Sequence, residues 1–426
     1  MAAPSPNQQP TYARYGAVSF GVALSFITYI DRVAISQAAP AIVKELRLTT
    51  LQMGYVFSAF GLTYALLEIP SGWLCDRIGA RKVLTRIVLW WSFFTAATGW
   101  AWNLPSLLVT RLLFGAGEAG CFPGLAKMFS SWLPPSERPM AEGFKATAAR
   151  WGAALTPYLI VTLYRYFSWR QTFALFGAIG VVWAGAFYWW YRDNPAEHGG
   201  VNQAELALIP IKSSRHASFA DTPWRSFLGS RSAWALCVQW FCHYYGFYFY
   251  ITWLPTYLLQ ARGLNLQQSA LLAGMPMLSA GFGSLFCGWL APRMPAWTGS
   301  VARTRRLLAY VAYGGASAML LLFTSIHDPF WAMGAMSLST FAAELSGPIS
   351  WVTVMDLGGR YVGTLSAAMN MMGHFGGSVA PTLIGYILVS TGYNWTMAFY
   401  CSAAIYSAGA LCWMLIDPVT SLDTEV

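Results

Sequence analysis

Apolar runs of membrane-spanning length follow one another along almost the whole chain, separated by short polar turns. A helix needs about 20 apolar residues to cross a hydrocarbon core of about 30 Å. Twelve runs satisfy this, at 15–38, 53–74, 83–102, 105–128, 141–164, 169–191, 233–259, 267–290, 306–326, 329–350, 361–388 and 394–416. The longest hydrophilic interruption runs from Arg192 to Arg231 and leaves six runs on either side. The pattern predicts an all-α membrane protein of twelve transmembrane helices. They form two pseudo-symmetric six-helix bundles, 1–191 and 232–426, joined by a central cytoplasmic loop over 192–231.

Composition narrows the class. Of 426 residues, 56% are hydrophobic and only 10% charged, whereas soluble domains carry about 25% charged residues. An ordinary soluble enzyme is excluded. The net charge of +9 does not point to nucleic acid, because the basic residues lie in short loops between apolar runs. With the N-terminus inside, sixteen Lys and Arg fall in inside segments and five (Lys44, Arg47, Arg165, Arg170, Arg262) outside. That bias places both termini in the cytoplasm. The seven cysteines show no metal spacing and read as reduced packing residues. The N-terminal stretch lacks a charged n-region and a cleavage site, so the first span is expected to be retained.

Charges inside the spans carry the chemistry. Asp31 and Arg32 are adjacent within the first span, and Arg111 and Glu118 recur in the fourth. An arginine at the bilayer centre costs about 3 kcal/mol or more, so it needs a partner or a polar cavity. Arg111 and Glu118 are seven residues apart, close to two helical turns, and share one face. Running in opposite directions, the two spans place Arg32 and Arg111 at similar depth, with Glu118 nearer the midplane. Two arginines at one level suit a carboxylate, which the planar guanidinium fork matches. Two buried acids suit a proton, since desolvation and a nearby arginine act on a carboxyl in opposite directions. The alternative is a static ion-pair network that locks the helices.

Two motifs then connect the chain to a family. Gly72-Trp-Leu-Cys-Asp76-Arg77-Ile-Gly79-Ala-Arg81-Lys82 fills every position of G-x-x-x-D-R-x-G-x-R-[RK]. It resembles the signature loop between the second and third helices of the major facilitator superfamily. Arg111-Leu-Leu-Phe-Gly115-Ala-Gly117-Glu118 through Pro123 resembles the fourth-helix stretch of the anion:cation symporters, a branch that includes bacterial galactonate, glucarate and hexuronate carriers. Tyr29-Ile-Asp31-Arg32, Thr252-Trp-Leu-Pro-Thr-Tyr-Leu258 and Asn370 through Pro381 match its first, seventh and eleventh helices.

The resemblance implies roles. Arg32 and Arg111 bind the substrate, and Asp31 and Glu118 couple its movement to a proton. Asp76, with Arg77 and Arg81, gates the cycle. Tyr29, Tyr64 and Asn370 line the site, with Trp351 or Ser350 from the second half. In such transporters the site lies between the halves near the midplane. Some residues stand apart. Arg150, among small residues in the fifth span, either adds a third cationic contact that favours a dicarboxylate or faces a cytoplasmic cavity. Glu68 and Glu344 are intramembrane acids, and either could pair with Arg150. His374 either titrates near neutral pH or is a packed neutral side chain.

No G-x-x-x-x-G-K-[ST] loop occurs, so ATP does not drive the protein directly. The sequence calls for no cofactor and no metal, and its expected partners are a small organic anion, a proton and the lipid bilayer. The expected function is proton-coupled import of an organic anion, foremost a sugar acid, by a monomer in a bacterial plasma (inner) membrane. The rival readings are a facilitator or exchanger without proton coupling, and a membrane sensor of the same ligand that does not transport it.

Overall fold

The structure is a computed structural model that describes residues 9–209, 224–264 and 266–422; residues 210–223 of the central loop lie outside it. Among the described residues there are helices and no strands. The first half contains α1 (Arg14–Leu46), α2 (Thr50–Ile78), α3 (Ala80–Thr98), α4 (Leu104–Glu118), α5 (Cys121–Trp132), α6 (Arg138–Leu163) and α7 (Trp169–Trp190). Short helices α8 (Gln203–Leu206) and α9 (Trp224–Gly229) follow. The second half contains α10 (Arg231–Thr252), α11 (Leu254–Gln260), α12 (Leu266–Leu290), the short α13 (Pro295–Thr298), α14 (Val301–Ser325), α15 (Pro329–Glu344), α16 (Ser346–Gly358), α17 (Val362–Ser390) and α18 (Trp395–Cys412).

Every apolar run coincides with helix, and three of the twelve are broken into two. The fourth run splits into α4 and α5 at Gly120, which sits at φ +88°, in the left-handed region that favours glycine. A Cβ there would also lie 2.4 Å from the Ser71 side chain. The seventh run splits into α10 and α11 at Trp253, just before Pro255, which has no amide hydrogen to continue the ladder. The tenth splits into α15 and α16 at Leu345. Broken helices of this kind are tolerated in membranes where protein surrounds the freed backbone groups. By length and apolarity alone, four described helical stretches could cross a membrane: Arg14–Leu46, Trp169–Trp190, Val301–Ser325 and Pro329–Ser390.

The chain forms two compact units. One comprises residues 1–138, 152–222 and 360–367, and the other 139–151, 223–359 and 368–426. The second unit thus takes in the first half of α6, ahead of the sequence boundary expected at 191.

In the first unit α3 packs along α7, and α4 packs against both α2 and α3. Lipid offers no hydrophobic drive between helices, so close approach over small residues carries the packing. Gly117 shows this most directly. A Cβ added to it would lie 1.9 Å from Trp90 Cδ1, and the Trp90 indole N–H donates to the Leu113 carbonyl at 2.8 Å. In the second unit α12 and α14 pack on α15, and α10 and α14 pack on α18.

Candidate functional site

The first unit gathers the charged residues of α1 and α4. Side chains one position apart on a helix point about 100° away from each other, so Asp31 and Arg32 face different surroundings. The Arg32 Nε donates to Glu118 Oε1 at 2.5 Å. Asp31 instead lies near Arg111, with the Trp91 indole beside it. Sequence adjacency suggested the pairs Asp31–Arg32 and Arg111–Glu118; the close ion pair in the structure is Arg32–Glu118, which joins α1 to α4, and Arg111 lies near both Glu118 and Asp31.

Aromatic rings support both guanidiniums. Arg32 lies over Tyr64 at 4.6 Å, Phe60 at 5.2 Å, Tyr29 at 5.4 Å and Phe122 at 5.6 Å from the ring centres. Arg111 lies over Phe114 at 4.3 Å and over the same Phe60 ring at 5.6 Å. The two cations therefore share the Phe60 ring. The first-unit residues expected at the site (Tyr29, Asp31, Arg32, Tyr64, Arg111 and Glu118) all belong to this one cluster.

The two arginines differ in access. The Arg32 side chain is 12% exposed, whereas Arg111 is 2% exposed. Hydrogen bonding leaves capacity unused. Among the described residues, both Asp31 oxygens, Glu118 Oε2 and Arg111 Nε have no hydrogen-bond partner. Such groups are costly to bury, and a solute or a proton could take them up.

The signature loop forms a second constellation in the first unit. The Asp76 carboxylate receives Lys127 Nζ at 2.9 Å, the Gly363 N–H at 3.0 Å, and the Thr364 N–H and hydroxyl at 2.7 and 2.8 Å. It thereby caps the first turn of α17, where free N–H groups favour an anion. Arg81 donates to the Tyr188 carbonyl through Nε (3.0 Å) and Nη2 (2.5 Å), and its backbone N–H donates to Asp193 at 2.9 Å. Burial pushes the Asp193 carboxyl up from its ordinary range, against the backbone N–H groups of Arg81 and Ala80. Arg77 lies over Trp73 at 5.3 Å.

The second unit holds Asn370 and Trp351, both buried. Asn370 Oδ1 accepts from the Trp240 indole at 3.4 Å, and Trp351 meets Trp240 edge-on at 5.9 Å. Ser350 donates to the Ser346 carbonyl at 2.7 Å. Arg150 is paired with Glu344 through Nε at 2.9 Å and Nη2 at 2.5 Å. Glu68 belongs to the first unit and is buried near Tyr64. His374 is a buried ring packed against Tyr244 at 5.3 Å.

Sequence reasoning missed Trp91, Phe60 and the Asp76 partner Lys127. It also missed Glu142 and Lys145, a buried ion pair on α6 whose ammonium lies 4.0 Å over Trp351. That pair had a readable signal, an acid and a base three residues apart inside an apolar run.

Known proteins agree with this architecture. Residues 22–381 match the Major Facilitator Superfamily, and the chain belongs to that superfamily. It is a membrane transporter, not an enzyme. A probable sulfoacetate transporter of Cupriavidus necator is 36% identical over 401 residues, covering 94% of this chain and 93% of that protein. The D-galactonate transporter of Escherichia coli O6:H1 is 29% identical over 98% of both chains. A probable galactarate/D-glucarate transporter of Bacillus subtilis is 28% identical over 98% of this chain and 94% of its own length. In fold, the chain is similar to a proton:xylose symporter bound to 6-bromo-6-deoxy-D-glucose. The TM-score is 0.74 at 15% identity, covering 93% of this chain and 94% of that one.

Proposed function

We propose that this transporter imports a small organic anion of the sugar-acid or sulfo-acid type by proton symport, with alternating access and with both termini in the cytoplasm. The observation that carries the reading is the Arg32–Glu118 pair, in which the more accessible arginine is held by a carboxylate on another helix. While Glu118 is ionised, Arg32 is neutralised and poorly disposed to take a second anion. Protonation of Glu118 releases the guanidinium, which then engages the incoming carboxylate.

Charge balance supports one proton for each acidic group of the solute. Asp31, Arg32, Arg111 and Glu118 sum to zero when all are ionised. Adding a carboxylate alone would leave a net charge in a buried cluster, which is expensive; a proton on Glu118 or Asp31 restores neutrality. Asp31 and Arg111 supply a second buried acid and base to this cluster. Tyr29 and Tyr64 present hydroxyls and ring faces to the solute beside Arg32.

Asp76 acts on the cycle and not on the solute. Its four contacts to Lys127, Gly363 and Thr364 hold the start of α17 against the end of α2, next to Arg77, and transport requires these contacts to be made and broken. Relatives whose names give sulfoacetate, galactonate and galactarate or glucarate as substrates support the organic-anion class.

The test is uptake of labelled sulfoacetate, galactonate and galactarate into proteoliposomes, with and without an inside-alkaline pH gradient. Gradient-driven accumulation of at least one acid is expected. Uptake that ignores the gradient would establish a facilitator or exchanger instead. No uptake of any of the three acids would remove the sugar-acid and sulfo-acid reading.

A further inference from the structure

The signature loop is fastened on a second side, which the Asp76 contacts do not use. Asp193 lies just past the end of α7. Its Oδ1 accepts the Arg81 backbone N–H at 2.9 Å, and the Ala80 N–H also turns to the carboxylate. Ala80 and Arg81 open α3, a helix of 19 residues. The free N–H groups and the dipole at such an end favour an anion. The same contact accounts for Gly79, the second fixed glycine of the loop motif. Gly79 has φ +88°, and a Cβ there would lie 2.4 Å from Asp193 Oδ2. Only a residue without a side chain combines that backbone with so close a carboxylate.

The clasp is reciprocal. Arg81 reaches the other way, giving Nε and Nη2 to the Tyr188 carbonyl in the last turn of α7, with its guanidinium 4.3 Å over the Tyr188 ring. A cation at a helix C-terminus is favoured as an anion is at the N-terminus. Each helix end is thus capped by a residue that follows or opens the other helix. Arg192 extends the clasp. Its Nη1 donates to the Trp189 and Tyr191 carbonyls at 2.8 and 2.9 Å. Its own carbonyl accepts the indole N–H of Trp132, the last residue of α5, at 2.8 Å. α5 also carries Lys127, the ion-pair partner of Asp76. Arg192 and Asp193 therefore hold both α3 and α5, and all of these residues belong to the first unit.

We propose that Asp193 is a positioning residue for transport: with Arg81 it fixes the signature loop to the facing ends of α3 and α7, and so sets where Asp76 meets the start of α17. The inference rests on the gating role proposed for Asp76 and assigns the fixed side of that gate. The Asp76 contacts are the side that is made and broken. The Asp193–Arg81 clasp stays closed, because it joins two helices that pack along each other. Among the described residues Asp193 makes no hydrogen bond or ion pair to the Arg32 cluster. Its effect therefore falls on the rate of transport and not on the affinity for the solute.

The test compares wild type, D193A, D76N and D76N/D193A as full chains. Initial uptake rates in proteoliposomes and equilibrium binding are measured with whichever of sulfoacetate, galactonate and galactarate the wild type takes up. Amide hydrogen exchange over the signature loop and the start of α3 is measured in nanodiscs without substrate. D193A is expected to lower the uptake rate about fivefold, the size of one lost helix cap, with affinity within about twofold. The amides at the start of α3 should exchange faster by a similar factor. In the D76N background D193A should slow uptake little further, because the two residues act through one loop. D193N keeps the shape and an acceptor oxygen and should fall between D193A and the wild type. It carries the comparison where D193A does not fold.

A residue that only stabilises the fold predicts otherwise, with rate and affinity falling together and the D193A and D76N losses multiplying in the double variant. Either result would overturn the positioning role, as would unchanged exchange at the start of α3 in D193A. If D76N is slow and D193A transports at the wild-type rate, this inference falls and the gating role of Asp76 stands. If D76N itself transports at the wild-type rate, the gating role falls and this inference with it.

Discussion

Arg32 pairs with Glu118, 86 positions away, and not with its neighbour Asp31. The pairing ties α1 to α4, and Asp31 lies near both Glu118 and Arg111. It also sets an order of access, since Arg32 is the more exposed of the two arginines.

Arg32→Ala should weaken equilibrium binding by about 1.5–3 kcal/mol, the net worth of a charge-assisted contact. Arg32→Lys should recover only part of it, because an ammonium cannot form the planar fork. Removal of Arg32 also strands the buried Glu118 carboxylate, and breaking such a buried pair costs about 3–5 kcal/mol where it has been measured. Arg111 lies near Glu118 and Asp31 without a close ion pair among the described residues. Thermal unfolding in detergent, measured beside binding for both alanine variants, checks this. A larger loss of thermal stability is expected for Arg32→Ala than for Arg111→Ala.

Asp76→Asn should slow transport while leaving equilibrium affinity within about twofold, a difference well under 1 kcal/mol. The carboxylate touches Lys127 and the start of α17 and no residue of the Arg32 cluster. Initial uptake rates and binding isotherms on the same preparation check this. A fall in affinity as large as that of Arg32→Ala would remove the gating role.

Gly117→Ala should destabilise the protein by about 1–3 kcal/mol, as overpacking does. The added methyl would meet Trp90, and the neighbouring residue is Glu118, so the Arg32–Glu118 distance should suffer with it. A melting temperature equal to that of the wild type would show that α3 and α4 have slack that the structure does not show.

The helices were legible in the sequence because an apolar run of twenty residues has few alternatives to a membrane helix. The breaks at Gly120, Trp253 and Leu345 were not. They depend on how single residues sit in the packed chain, and the apolar runs continue through them. The charged residues of the first unit were legible by type and depth, since a bilayer makes such groups expensive. Their pairing was not, because neighbours in sequence diverge on a helix and their partners come from other helices. Arg150 and Glu344 were both visible as intramembrane charges. Their contact spans 194 positions and could be seen only in the fold.

Glu118→Gln tests the coupling most directly. Glutamine keeps the shape and leaves Arg32 unneutralised, yet it cannot take up and release a proton. Counterflow and pH-driven uptake should be measured side by side in proteoliposomes. The expected result is substrate exchange retained and pH-driven accumulation lost, with Asp31→Asn showing a related defect. Accumulation by Glu118→Gln equal to that of the wild type would mean that the proton does not travel through the Arg32–Glu118 pair.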